Sequence, residues 1–264
     1  MERKAQLRAL AQRLVRARNE RKVIDFLGGA DAPRDEAEAY AVQFAKHEEV
    51  VKSGDSFAGW KVAASIPAQY QPIGLTGPAL GGLFKSGMVK SGTRFPAGWP
   101  IKPGVECEIA MRLTIDAKPM AHPYTAQSIR PLVAAIMQAM EVVDNRYSNL
   151  PQLNGLNRIA DDFLQHACVL GPEIHDVNAF DLVTTYGRSS LNGKELAGGT
   201  GANVMGDPFI ALAWLANRLI ALGTCLKAGE IVMTGSCHIP QFLSGPGEVV
   251  SGFEGVGEVK AVFA

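Results

Sequence analysis

A chain of 264 residues suffices for one sizeable domain, or for a compact domain carrying an added lobe. Its 26 Lys plus Arg balance 26 Asp plus Glu, so no basic field recommends a nucleic-acid or anionic-membrane partner. The four cysteines, Cys107, Cys168, Cys225 and Cys237, form no C-x-x-C pair; this removes zinc-knuckle and thioredoxin-like readings and points to reduced thiols in a cytoplasmic protein.

The first residues are charged and lack an apolar signal core. No run is read as reaching the roughly 18 apolar residues of a membrane span, so a soluble protein is expected. From 3 to 27, Leu7, Leu10, Leu14, Val15, Val23, Ile24 and Leu27 recur at three- and four-residue steps, predicting one or two amphipathic helices closed by Gly28-Gly29. A second helix is predicted over 35–52, after Pro33 and before Ser53-Gly54. Residues 1–57 therefore read as a helical region and 58–264 as a β-rich unit packed with it. There, short apolar pieces are broken by Gly and Pro, a texture of strands and irregular loops. Strands are predicted at 60–63, 105–113, 137–143, 167–170, 182–186, 231–234 and 257–263. A helix over 208–222 has Asp207 as N-cap and Pro208 at its first position, and another is predicted over 127–135, with Pro131 inside it.

Glu106 and Glu108 stand one residue apart in the strand 105–113. Strand side chains alternate, so both carboxylates share a face while Val105, Cys107, Ile109 and Met111 take the other. Glu141 is a third acid framed by apolar residues. Three oxygen ligands from two elements suit a hard divalent ion such as Mg2+ or Mn2+; the alternative is a solvated strand face. Lys61 is a lone cation in an apolar strand. Burial would lower its pKa and neighbouring carboxylates would raise it, and a snorkelling surface lysine is the alternative. Thr234-Gly235-Ser236, at a strand end, can offer N–H and O–H groups to an oxyanion, or be an ordinary glycine turn. Arg146 can clamp a substrate carboxylate or pair with Asp144 or another local acid. His166 and His238 are acid–base candidates or hydrogen-bonded structural histidines. Asp161-Asp162 reads as a solvated turn or a part of the site. No nucleophile elbow and no dinucleotide or phosphate loop is present.

These pieces, in this order, resemble the fumarylacetoacetate hydrolase superfamily, in its branch of 2-keto-4-pentenoate hydratases and 4-oxalocrotonate decarboxylases. The resemblance is carried by Gly59-Trp60-Lys61-Val62, Val105-Glu106-Cys107-Glu108-Ile109-Ala110, Glu141-Val142-Val143-Asp144-Asn145-Arg146, Gly206-Asp207-Pro208 and Leu226-Lys227-Ala228-Gly229-Glu230-Ile231-Val232-Met233-Thr234-Gly235-Ser236. It implies an α+β fold, a mixed β-roll with an N-terminal helical region, one Mg2+ or Mn2+ and a homo-oligomer. It also implies Glu106, Glu108 and Glu141 as metal ligands, with Asp144 as competitor for the third place. Lys61 would be the catalytic lysine, and Thr234 and Ser236 would line the substrate pocket. The implied activity is a metal-dependent lyase on a short 2-oxo acid or its dienol. The alternatives are an acylpyruvate-type C–C hydrolase, for which His166 or His238 would have to be the base, and a non-catalytic member that binds metal and 2-oxo acid. Two departures stand out: Ala79 where related hydratases commonly carry an aspartate, and Ala160-Asp161-Asp162-Phe163-Leu164 where they commonly carry an Ala-Asp-Asn-Ala-Ser type segment.

Overall fold

A computed structural model describes residues 2–25 and 28–264. Helices α1 (Glu2–Asn19) and α2 (Glu36–Lys52) open the chain. Thirteen strands follow: β1 (Phe57–Ala63), β2 (Ala79–Phe84), β3 (Met88–Lys90), β4 (Thr93–Phe95), β5 (Pro103–Leu113), β6 (Val133–Asp144), β7 (Gln165–Leu170), β8 (Tyr186–Leu191), β9 (Lys194–Thr200), β10 (Ile231–Ser236), β11 (Gln241–Phe242), β12 (Gly247–Phe253) and β13 (Gly257–Phe263). Interspersed are α3 (Ala126–Ile129), α4 (Gly155–Ala160) and α5 (Pro208–Ala221). One sheet of eight strands runs β2-β1-β10-β5-β6-β7-β3 with β11 added beside β5, and a second of five runs β4-β13-β12-β8-β9. Both mix parallel and antiparallel neighbours.

Helices α1 and α5 bury most of the apolar stripe their sequence predicts. Leu7, Leu10, Ala11 and Leu14 of α1 cluster with Val42 and Ala45 of α2 and Val143 of the sheet, and Val15 is buried as well. In α5 the Asp207 carboxylate caps the Phe209 N–H at 2.8 Å, and Phe209, Leu212, Leu215 and Leu219 are buried beside Trp60, Val62 and Val232. Each such side chain contributes about 1.5–3 kcal/mol of apolar burial. The stretch Gly201–Ala221 is apolar and long enough by composition to cross a membrane, contrary to the expectation that no run reaches that length. Its regular helix is only the 14 residues of α5, about 21 Å of rise against a hydrocarbon core of roughly 30 Å. Half of the stretch is buried in the protein, as a core helix is.

Three predicted elements differ. The first helix stops at Asn19; Val23 is exposed, Ile24 forms an isolated bridge to Tyr147, and the predicted end at Leu27 lies outside the described residues. The helix expected over 127–135 lasts one turn before a short 3-10 turn at Arg130–Leu132 yields to β6, because Pro131 cannot donate to a continuing helix. Residues 182–186 form no strand before Tyr186, since Asp181 turns the chain by accepting from the N–H groups of Val183 and Thr184.

Candidate active site

Alternation along β5 puts Glu106 and Glu108 on one face, and its antiparallel register sets Glu106 opposite Glu141 of β6. Ligand atoms of Glu106, Glu108 and Glu141 all lie within 4.8 Å of one another. Lys61 stands on β1, three strands from β6 in the order β1-β10-β5-β6. In a flat sheet that is about 14 Å, yet the Lys61 ammonium donates directly to the Glu141 carboxylate. The sheet must therefore curl, and the four side chains occupy its concave face. Asp144 differs from Glu141 by an odd number of residues and points to the other face, where its Oδ1 accepts from the Lys102 N–H at 2.9 Å.

The electrostatics are those of a buried anionic cluster. Burial, then the field of Glu141, pushes the Glu106 carboxyl up to about 8, with Lys61 working against both. Burial and the charges of Glu141 and Glu106 raise Glu108 well above the carboxylate range. Glu141 is raised by burial, opposed by Lys61. Burial disfavours the Lys61 ammonium, but Glu141, Glu106 and Glu108 outweigh it and raise its pKa. Oxygen donors that repel one another in a buried pocket fit a hard divalent cation, which would relieve the repulsion.

The Thr-Gly-Ser turn is explained by a register shift between β10 and β5 after Met233. Gly235 sits there at φ +109°, and a Cβ would come within 2.4 Å of the Ser65 side chain. Its N–H donates to Glu108 Oε2 at 2.9 Å and so orients that carboxylate. Ser236 lines the cavity above the glutamates. Thr234 does not: it is fully buried, and its hydroxyl is spent on the Ile109 carbonyl at 2.8 Å.

A cavity of about 300 Å³ opens over this cluster, at the small end of ligand pockets. Its walls include Ser65, Gln69, Val143, Arg158, Phe163, Leu164 and Phe242. Asp162, Phe163 and Leu164 have φ of 51°, 50° and 66°, a left-handed run that costs about 1–3 kcal/mol per residue. Offsetting bonds hold it: Asp162 accepts from the Gly82 N–H at 2.8 Å and pairs with His47 at 2.8 Å and Lys46 at 2.9 Å. The turn thereby presents Phe163 and Leu164 to the cavity. Asp161 and Asp162 are thus neither a solvated turn nor part of the cavity lining. Ala79 is likewise buried in the apolar core.

Arg146, carried from the sequence as a carboxylate clamp, does not line the cavity. Its guanidinium is wholly buried and donates to Asp161 Oδ2 at 2.6 Å, the local pairing that was its alternative. Neither histidine reaches the cavity. His238 is held by the Ser189 hydroxyl and the Ile239 carbonyl, each at 2.9 Å. His166 packs edge-on to Trp99 at 4.7 Å between centroids, and burial, then Arg18 and Arg146, lowers its pKa to about 3. A histidine depressed from about 6.5 stays neutral when folded while the unfolded chain takes up a proton, so stability falls as pH drops from about 6.5 toward 3. The expected loss between pH 7 and pH 5 is about 2 kcal/mol, absent in His166→Phe, as urea unfolding at the two pH values would measure.

A curled mixed sheet with acids and a lysine on its concave face and helices outside defines a β-roll enzyme whose site lies within the roll. The chain belongs to the fumarylacetoacetate hydrolase family: the profile described as fumarylacetoacetate (FAA) hydrolase C-terminal matches residues 42–264. It is similar to a 2-keto-4-pentenoate hydratase of Paraburkholderia phymatum, 30% identical over 258 residues that cover 98% of this chain and 97% of that protein. A 4-oxalocrotonate decarboxylase of Pseudomonas putida is 26% identical over 230 residues, 86% of this chain and 85% of the relative. The solved 4-oxalocrotonate decarboxylase from Pseudomonas putida G7, complexed with magnesium and adipate, superposes with a TM-score of 0.91 at 24% identity, covering 98% of each chain.

Proposed function

We propose that this protein is a divalent-metal-dependent lyase acting on a short 2-oxo acid or its 2-hydroxydienoate tautomer, by hydration or decarboxylation. The observation that carries the reading is the convergence of Glu106, Glu108 and Glu141 beside Lys61 in one small buried cavity. The relatives named as hydratases and a decarboxylase support the class of reaction. The three carboxylates would hold a divalent ion, Mg2+ or Mn2+; the solved decarboxylase is seen with magnesium in one structure and with calcium in another, which supports a divalent ion. When bound, the ion supplies Lewis-acid polarisation of the substrate's carboxylate and C2 oxygen.

The protein's own groups do the rest. Lys61 donates a proton on Nζ in a hydrogen bond to the Glu141 carboxylate and would be the group that moves a proton to or from the enol carbon skeleton. The Gly235 N–H fixes Glu108, and Ser236 offers its hydroxyl to the substrate head group, since its present bond to the Cys107 carbonyl is a long 3.3 Å. Val143, Phe163, Leu164 and Phe242 exclude water from the reacting chain. The hydrolase alternative lacks its base here, since His166 and His238 point elsewhere. The reading extends to a cytoplasmic homo-oligomer, on the family resemblance, which light scattering after size exclusion would measure.

The test is an ultraviolet assay with 2-hydroxypenta-2,4-dienoate for hydration and with 2-hydroxyhexa-2,4-dienedioate, whose second carboxylate can leave as CO2, for decarboxylation. Loss of the conjugated chromophore is expected with Mg2+, to vanish with EDTA and to return on adding the ion; product analysis separates a hydroxy-oxo acid from CO2. A rate indifferent to metal removal sinks the proposal.

A further inference from the structure

His238 does not reach the cavity, yet both nitrogens of its ring are spent. Nδ1 faces the Ile239 carbonyl and Nε2 the Ser189 hydroxyl, each at 2.9 Å. Burial lowers its pKa and keeps the ring neutral. A carbonyl only accepts, so the single ring proton sits on Nδ1 and Nε2 accepts from Ser189. Ser189, its proton committed to the ring, in turn accepts from the Ser251 hydroxyl at 2.7 Å. The bonds therefore run in one direction, from Ser251 on β12 through Ser189 on β8 to His238. Ser189 and Ser251 are cross-strand partners and wholly buried, where a hydroxyl left without a partner is costly.

The chain around His238 is tied down at its two ends. Cys237 donates its N–H to the Cys107 carbonyl at 3.1 Å, and its own carbonyl accepts from the Asn203 amide at 2.8 Å. Gln241 and Phe242 form β11 against Val105 and Gly104 of β5. Between these ends, among the described residues, the bond to Ser189 is the only hydrogen bond that joins residues 238–240 to the chain outside 236–241. His238 is also the only buried residue between Cys237 and Val249. The segment it anchors matters to the cavity, because Pro240 and Phe242 both line it. A Cβ at Gly104 would meet two ring atoms of Phe242 at 3.0 Å, so that ring lies on β5 two residues before Glu106. Yet Phe242 is 42% exposed, and Pro240 has no N–H with which to fix itself.

We propose that His238 is a positioning residue: by latching residues 238–240 to the second sheet it holds Pro240 and Phe242 as a wall of the substrate cavity. The inference rests on the 2-oxo acid reading of that cavity.

The experiment measures by calorimetry the affinity of the Mg2+-loaded protein for 2-oxohexanoate, and of the metal-free protein for Mg2+, in wild type, His238→Phe, Ser189→Ala and the double variant. Phenylalanine keeps a ring and removes both nitrogens. S189A opens the latch from the other end by removing only a hydroxyl, and it carries the test even if H238F does not fold. Each single variant is expected to weaken 2-oxohexanoate about tenfold, the upper end of what one hydrogen bond contributes. Affinity for Mg2+ should not change, since Glu106, Glu108 and Glu141 stand on β5 and β6. The double variant should lose no more than either single one, because two members of one latch are not additive. His238→Gln, whose amide oxygen can still accept from Ser189, should recover most of the affinity. An affinity for 2-oxohexanoate unchanged in H238F and S189A, with only the urea midpoint lowered, would show a merely structural histidine and overturn the assignment. Losses that add in the double variant, or that fall equally on Mg2+, overturn it as well. Failure of the wild type to bind either 2-oxohexanoate or oxalate in the presence of Mg2+ would instead sink the 2-oxo acid reading, and this inference with it.

Discussion

Replacing Glu108 by glutamine is expected to make the metal-free protein more stable and to cut its metal-dependent turnover about a thousandfold. Lewis-acid stabilisation of developing charge is worth several kcal/mol, and each 1.4 kcal/mol is about tenfold in rate. The opposite sign for stability follows from the raised pKa of Glu108, which comes from burial and from the charges of Glu141 and Glu106. A carboxyl group whose folded pKa lies above its unfolded value favours folding less as pH rises past the unfolded value, because the unfolded chain ionises more readily. Glutamine keeps the shape, removes that cost at neutral pH, and retains an oxygen to accept from the Gly235 N–H. Added Mg2+ should reverse the ranking, since an ion at a hundred times its Kd stabilises the wild type by about 2.7 kcal/mol and the variant by far less. Urea midpoints with EDTA and with Mg2+ measure both halves. A metal-free variant less stable than the wild type that still gains stability from the ion would refute the assignment of Glu108. Glu141 is the wrong residue for this comparison, because its loss would strand the Lys61 ammonium in the same buried cluster.

Glu106 and Glu108 could be read together from sequence because a strand's alternation acts over two residues and needs no knowledge of its neighbours. Glu141 stood out as an acid inside an apolar strand. What joins them, the antiparallel register of β5 and β6 and the curl that brings Lys61 across three strands, is non-local and left no trace in spacing. The family resemblance supplied it instead. Strand β2 was missed because Gly81-Gly82 reads as a turn. In the fold, Gly82 is a close approach, with a Cβ there lying 2.5 Å from the His47 ring, so the residue that signals a loop permits α2 to dock on the sheet. Lys46 and His47 were passed over for a related reason: a cation on an amphipathic helix reads as solvated until its partner, 115 residues away, is known.

Asp161→Asn is expected to destabilise the protein by about 3–5 kcal/mol, the cost of removing one member of a buried ionic network, against a total of roughly 5–15 kcal/mol for a folded domain. The Asp161 carboxylate binds Lys46 at 2.7 Å and Arg146 at 2.6 Å and accepts from the Tyr147 hydroxyl at 2.8 Å, all within the protein interior. Nε and Nη1 of Arg146 have no hydrogen-bond partner among the described residues, so the variant leaves a buried guanidinium with no acid bonded to it and only the more distant charge of Asp144. Burial opposes the Asp161 charge, but Arg146 and Lys46 outweigh it and hold its pKa below the usual range. The sign is therefore that of a depressed acid: its contribution is complete above about pH 4, the unfolded value, and is lost as pH falls through the lower folded value. D161N should lower the urea midpoint at pH 7 and flatten the acid decline below pH 4, where the wild type loses what the variant already lacks. Lys46 also holds Asp162 at 2.9 Å, and Asp162 begins the left-handed turn that sets Phe163 and Leu164 in the cavity wall. The same variant should consequently raise KM for the oxo acid while leaving the affinity for Mg2+ close to wild type, because the glutamates proposed to hold the ion sit on β5 and β6 and not on this turn. An unchanged midpoint at pH 7 would mean that the network is neutral to folding. A fall in metal affinity as large as the rise in KM would mean that the turn and the glutamate cluster are one cooperative unit.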